Sequence, residues 1–219
     1  MDALNGAHIA AWIERAADVM EREKVLLTEL DAAIGDSDHG TNMARGFTAV
    51  RVRLGGLDHG DVGALLKGVG MILLSTVGGA SGPLYGTLFR EAGQRAAGAA
   101  ALDLAALAGC LEAGLDGVKR RGKASPGDKT MVDALSPAVD ALKAALSAPA
   151  PTGDPARSSL MDGLARAAEA AQAGALATVP LIARKGRASY LGERSAGHQD
   201  PGATSCSLLL RSLAATAGV

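Results

Sequence analysis

The chain has 219 residues, of which 48% are hydrophobic and 21% charged, with a net charge of −1. That length allows one large domain or two small ones, and the apolar share is enough for a sizeable core. The near-neutral balance excludes a broad attraction to nucleic acid or an anionic membrane, and aromatics at 2% exclude base stacking as a way to hold single strands.

The N-terminal stretch MDALNGAHIAAWIERAADVMEREK lacks a basic start followed by an unbroken apolar run, so it does not read as a signal peptide. Its apolar positions Ile9, Trp12, Ile13, Ala16, Val19 and Met20 follow the i, i+3, i+4 spacing of a helix face. The same spacing returns in Val62–Leu73, Leu104–Val118 and Met131–Leu146, and in Leu209, Leu210 and Leu213. No two alternating runs are joined by a hairpin turn. The pattern predicts an all-α protein of eight helices, at 5–30, 41–54, 60–77, 82–98, 102–121, 128–147, 155–176 and 202–217. Few large rings and abundant Ala favour close helix-on-helix packing. Asp61 and Asp103 are expected N-caps, and Ser81-Gly-Pro83 and Asp128 are expected to open helices in the same way. The stretch Gly68–Phe89 carries no charge and is long enough to span a bilayer. Its centre, STVGGASGP, is too polar and Gly-rich for a span, and it reads as a helix end, a functional loop and a helix start. The Pro-rich segment Ser147–Ser158 reads as a connection within a single domain covering residues 1–219. Cys110 and Cys206 lie in apolar helical patterns away from any Cys/His cluster. They read as reduced core thiols, in keeping with a cytoplasmic protein.

Four connections differ from ordinary loops: Asp31–Asn42, Gly78–Gly86, Arg121–Lys129 and Arg184–Gly202. They are rich in Gly, Asp, Ser, Arg and His. They join helices 1 and 2, 3 and 4, 5 and 6, and 7 and 8, so an up-and-down bundle would gather all four at one end.

The first of these connections carries Asp31, Asp36 and Asp38 within eight residues. Crowded carboxylates repel unless a cation neutralises them, and hard oxygen ligands suit Mg²⁺ or Ca²⁺. An EF-hand started at Asp36 would need Gly at its sixth position and Glu at its twelfth, where this chain has Thr41 and Phe47. Plain turn and capping duty for each Asp is the alternative. The other loops offer what a phosphate needs: Gly79-Ala80-Ser81 before a helix start, Thr41 and Asn42 opening another, and Lys185 and Arg187 for positive charge. There is no GxxxxGK[ST] run, no GxGxxG after a strand and no GxSxG elbow, so a nucleotide site here would be neither Walker nor Rossmann. Of the four histidines, His8 and His59 lie among helix-surface residues, while His39 and His198 lie in the special loops.

The blocks GDSDHGTNM (35–43), GGASGPLYGTLF (78–89), GDKTMVDAL (127–135) and GRASYLGERSAGHQDPGATS (186–205) resemble the signature blocks of the dihydroxyacetone kinase L subunit family. The same domain forms the C-terminal half of ATP-dependent dihydroxyacetone kinases. The resemblance implies an eight-helix antiparallel barrel with ADP at one end. It implies that Asp31, Asp36 and Asp38 coordinate two Mg²⁺ ions bridging the nucleotide phosphates. It also implies that His39, Gly40, Thr41, Asn42, Ala80, Ser81, Gly122, Met131, Arg187, Asp200, Pro201 and Gly202 border the nucleotide. The acceptor implied is dihydroxyacetone held covalently on a separate K subunit. In free-standing L subunits ADP stays bound and is recharged by a phosphohistidine protein of the phosphoenolpyruvate phosphotransferase system. In fused enzymes ATP exchanges as an ordinary substrate. The absence of an attached K domain favours the first arrangement, and a homodimer is compatible with it. An ATP-dependent kinase for this or another small ketose, and a non-catalytic nucleotide-binding regulator of a partner protein, are the alternatives. One departure is visible: the family usually has Gly where this chain has Ser37, which would be mildly strained at a positive φ.

Overall fold

The computed structural model describes residues 1–147 and 159–218. Among them lie nine α-helices: α1 (Gly6–Arg22), α2 (Lys24–Ile34), α3 (His39–Arg53), α4 (Val62–Thr76), α5 (Ser81–Arg95), α6 (Leu104–Gly122), α7 (Val132–Leu146), α8 (Ser159–Ala177) and α9 (Pro201–Thr216). Short 3₁₀ stretches cover Leu54–Gly56 and Arg187–Ser195. The only sheet among the described residues is a two-residue antiparallel pair, β1 (Leu4–Asn5) with β2 (Ala101–Leu102).

Seven of the eight expected helices appear within a few residues of their predicted bounds. The expected start of the seventh, at 155, lies outside the described residues, as does most of the 147–158 connection. The first expected helix is two. It breaks at Glu23 (φ −90°, ψ 7°) and resumes through Ile34. No Gly or Pro marks that break, so the sequence gives no sign of it. As a consequence Asp31 sits in the last turn of a helix, and the connection to α3 shrinks to Gly35–Asp38.

Helix α1 packs on α3, α3 on α4, and so on through α9, which returns to α1. The chain visits this closed ring in order, giving an eight-helix barrel with α2 outside it, against α3, α9 and the 187–195 stretch. Apolar stripes face inward: Trp12, Phe47, Leu65, Phe89, Leu135 and Leu209 are among the buried core residues. Trp12 closes the ring by donating its indole N–H to the Leu209 carbonyl (3.0 Å) and to Ser212 Oγ (3.1 Å), because a buried indole needs an acceptor. Small residues set the closest approach: a Cβ on Gly70 would lie 2.8 Å from the Gly86 carbonyl oxygen, so α4 and α5 touch backbone to backbone. Cys110 and Cys206 are buried and free, as expected.

One end is closed by backbone. Here β1 pairs with β2, and Val62 N–H donates to the Ala99 carbonyl (2.8 Å). Asp61 caps α4 through the amides of Gly63 (2.8 Å) and Ala64 (3.1 Å), and Asp103 caps α6 through Ala106 (2.8 Å), as the sequence predicts. Asp128 is not a cap: α7 starts at Val132, and the Asp128 carboxylate instead accepts from Ser125 N–H (2.9 Å). The uncharged stretch 68–89 divides into the end of α4, a four-residue loop and the start of α5. No described helix is long and apolar enough to cross a membrane.

Candidate functional site

The other end of the barrel holds a cavity of about 450 Å³, walled by all four of the unusual connections. The up-and-down order of the helices places them there.

The acidic turn forms one edge. Asp31 is buried on α2, while Asp36 and Asp38 are exposed, and each offers an oxygen within 4.8 Å of the others. Asp31 also builds the turn: its Oδ2 accepts from the amides of Asp38 (2.9 Å) and His39 (3.1 Å). A Cβ on Gly35 would come within 2.0 Å of Asp31 Oδ1, so only glycine fits beside it. Ser37 has φ 64°, the left-handed conformation that glycine accepts more easily. Three carboxylates and no nitrogen or sulfur donor make a hard oxygen set, which fits magnesium or calcium. Arg187 reaches across from the fourth connection, with Nε 2.8 Å from Asp36 Oδ2. It brings positive charge to the same edge.

His39, the first residue of α3, is buried in the cavity wall. Its Nε2 lies 2.8 Å from Ser205 Oγ and its Nδ1 3.1 Å from Ser81 Oγ. Burial lowers its pKa, against the opposing pull of Asp31 and Asp38, which favours the neutral ring. Ser81 opens α5 without capping it, because its hydroxyl faces His39. The first turn of α5 therefore presents amides to the cavity, an anion-favouring arrangement.

Ala80, Ser81, Gly122, Met131, Arg187, Asp200, Pro201 and Gly202 all line the cavity, together with the three aspartates and His39. Gly40, Thr41 and Asn42 stand behind its wall. Gly40 is needed for packing, since a Cβ there would meet the Lys24 carbonyl oxygen at 2.1 Å. Thr41 is exposed. Asn42 is buried under the Gly78-Gly79 turn and accepts from Arg45 Nη2 (2.6 Å). His198, one of the two loop histidines, is exposed and off the cavity.

Two groups matter more than their sequence positions suggest. Lys129 is 1% exposed and has φ 63°. Its ammonium donates to the carbonyls of Thr178 (2.8 Å), Leu181 (3.1 Å) and His198, tying the end of α8 and the fourth connection to the third. Burial lowers its pKa, and the Asp200 charge works the other way. In sequence it is one lysine in a Gly-rich loop, with nothing to separate it from a solvent-facing one. Asp200 caps α9 through Ala203 N–H (2.6 Å). Burial pushes its carboxyl up to about 7, against the pull of that amide, and the charge of Asp133 adds to the rise. Leu84, Val118 and Val132 give the cavity an apolar side next to Met131. In sequence Leu84 lies in the second connection, Val132 in the third family block and Val118 on an ordinary helix face, and none is marked there as lining a cavity.

Comparison with known proteins agrees with this geometry. The chain is 45% identical over 219 residues to the ADP-binding subunit DhaL of the PEP-dependent dihydroxyacetone kinase of Escherichia coli, covering 98% of this chain and 99% of that one. It is 40% identical over 202 residues to the ADP-binding subunit DhaL of the PTS-dependent dihydroxyacetone kinase of Lactococcus lactis, covering 92% and 93% of the two chains. The crystal structure of the C. freundii dihydroxyacetone kinase in complex with AMP-PNP and Mg²⁺ superposes on 98% of this chain with a TM-score of 0.70 and 29% identity. The match spans 34% of that longer enzyme. Residues 33–215 match the DAK2 domain, and the chain belongs to the DAK2 domain family.

Proposed function

We propose that residues 1–219 act as a single nucleotide-binding domain, the subunit of a dihydroxyacetone kinase that carries the phosphoryl group on ADP. The observation that carries this reading is the triple carboxylate at the edge of a cavity that the amide-rich start of α5 also lines. Near full-length identity to ADP-binding subunits supports it.

Asp31, Asp36 and Asp38 are the residues that would hold two magnesium ions. Magnesium held there would neutralise the charge of the phosphates during phosphoryl transfer. The chain's own contribution is positioning. The amides of Ala80 and Ser81 meet phosphate oxygens, and Arg187 adds charge beside Asp36. Leu84, Val118 and Met131 offer an apolar face to the base, and Asp200–Gly202 complete the wall. Such a site needs no general base of its own if the acceptor, dihydroxyacetone, is activated on a separate K subunit. A phosphohistidine protein of the phosphotransferase system then restores ATP in place.

Reconstitution tests this. The purified chain, mixed with a K subunit from a related kinase, should form dihydroxyacetone phosphate from phosphoenolpyruvate and the phosphotransfer proteins, with ADP only stoichiometric to the chain. Sustained turnover on ATP alone would instead match the fused, ATP-dependent enzymes. No product with either donor would refute a catalytic role and favour a nucleotide-binding regulator.

A further inference from the structure

A chain of hydrogen bonds runs within the cavity wall through two residues without a part in the function proposed above. Tyr85, buried on α5, has its hydroxyl 2.7 Å from Ser205 Oγ on α9. Ser205 lies 2.8 Å from His39 Nε2, and His39 Nδ1 lies 3.1 Å from Ser81 Oγ at the cavity.

The direction of this chain follows from counting protons. A buried phenol must donate. Apart from Ser205, the acceptor in reach of Tyr85 is the Gly202 carbonyl, at the long distance of 3.5 Å. Ser205 therefore accepts from Tyr85 and has one proton to place. His39 Nε2 at 2.8 Å is nearer than the Gly202 carbonyl at 3.1 Å. The Gly202 carbonyl belongs to the first turn of α9, so it offers only the lone pair that its helical amide leaves over. The Pro201 carbonyl can take an N–H from the imidazole, and the tautomer measurement below decides for or against that competing arrangement. A neutral imidazole that accepts at Nε2 carries its proton on Nδ1 and donates it to Ser81 Oγ. The Ser81 proton is then free to point into the cavity, where helix amides already favour an anion. Bonds aligned head to tail also polarise one another. The reverse polarity would turn the Ser81 proton toward His39 and leave lone pairs facing a phosphate.

We propose that Tyr85 and Ser205 are positioning residues that hold His39 as its Nδ1–H tautomer, so that Ser81 presents a hydroxyl donor to a phosphate oxygen. The phosphate half of this proposal rests on the nucleotide reading of the cavity.

Two-bond ¹H–¹⁵N correlation spectra of the full chain, with His39 assigned by its loss in His39→Gln, should show the Nδ1–H form. Ser205→Ala should move His39 toward the Nε2–H form and weaken binding of ADP with magnesium roughly tenfold, as for one lost hydrogen bond to a charged group. Tyr85→Phe keeps the ring packing and should change both readouts in the same sense by less. A wild-type Nε2–H tautomer would overturn the proposal. So would unchanged tautomer and affinity in both variants. The expected tautomer in a chain with no affinity for ADP would refute the nucleotide reading and the phosphate half with it, while leaving the relay demonstrated.

Discussion

Asp61 and Asp200 each cap a helix, at opposite ends of the barrel, and their surroundings have opposite effects. At the closed end the Asp61 carboxylate accepts from the amides of Ala64, Gly98 and Gly63, and these bonds, Ala64 first, hold its pKa below the ordinary value. At the cavity end Asp200 has one amide, from Ala203, and is buried with Asp133 and Asp31 nearby, so its pKa rises to about 7. The closed end uses its acids to satisfy backbone. The cavity end collects acids beyond what its backbone needs and leaves Asp36 and Asp38 exposed. Backbone conformation divides the same way: the three non-glycine residues with positive φ among the described residues, Ser37, Lys123 and Lys129, all lie in cavity-end connections. Concentrated charge and sparsely populated backbone mark an end shaped for a ligand.

The largest test of this contrast is Lys129. Lys129→Met keeps the side-chain length but strips the carbonyls of Leu181 and His198 of their donor, while the Thr178 carbonyl keeps only the Leu181 N–H. Urea unfolding should show a loss of about 3 kcal/mol, because buried acceptors are left unpaired. A loss within experimental error would mean that the cavity end is not held by this cation.

The pH dependence of stability comes next. Asp200 is raised in the fold, so the folded chain keeps its proton between the unfolded value near 3.8 and about 7. Its contribution to stability is complete below pH 3.8 and is lost as the pH rises through about 7, at up to about 1.4 kcal/mol per pH unit. Thermal melts of metal-free protein should show Asp200→Asn, which keeps an oxygen for Ala203, removing much of the decline between pH 5 and 8. Asp61 has the opposite sign: its contribution is present above the ordinary carboxylate pKa and is lost as the pH falls through the lower folded one. Asp61→Asn should therefore cost stability at neutral pH and little in acid. Equal pH profiles for the two variants would erase the distinction between the ends.

The smallest effect belongs to Ser37→Gly. Removing a side chain at φ 64° relieves a left-handed conformation, which the entropy of a more flexible unfolded chain partly offsets. A net gain of about 0.5 kcal/mol in urea unfolding is expected, and a net loss would show that the Ser37 side chain stabilises the turn.

Much of this molecule was legible in its residues. Periodic apolar faces located the helices, and the up-and-down order put four chemically dense connections at one end. The break at Glu23 was hidden because EREK favours helix throughout. It is tertiary packing, α1 into the ring and α2 against the 187–195 stretch, that splits them. The three aspartates stood out by density alone. Lys129 did not, because its role depends on carbonyls 49 to 69 residues away. Tyr85 and Ser205 fell inside the family blocks with no role attached to them, and their hydroxyls acquire meaning only where α3, α5 and α9 meet. Gly40 and Asn42 carried the family pattern, yet they stand behind the cavity wall, where they support the loops that line it.

Calorimetry of ADP binding to the wild-type chain and to Asp38→Asn, each with and without magnesium, tests the central claim most directly. Tight binding by the wild type only when magnesium is present, and about 100-fold weaker binding by the variant, a loss close to 3 kcal/mol, is the predicted result. Equal affinity in the two proteins, or affinity indifferent to magnesium, would contradict it.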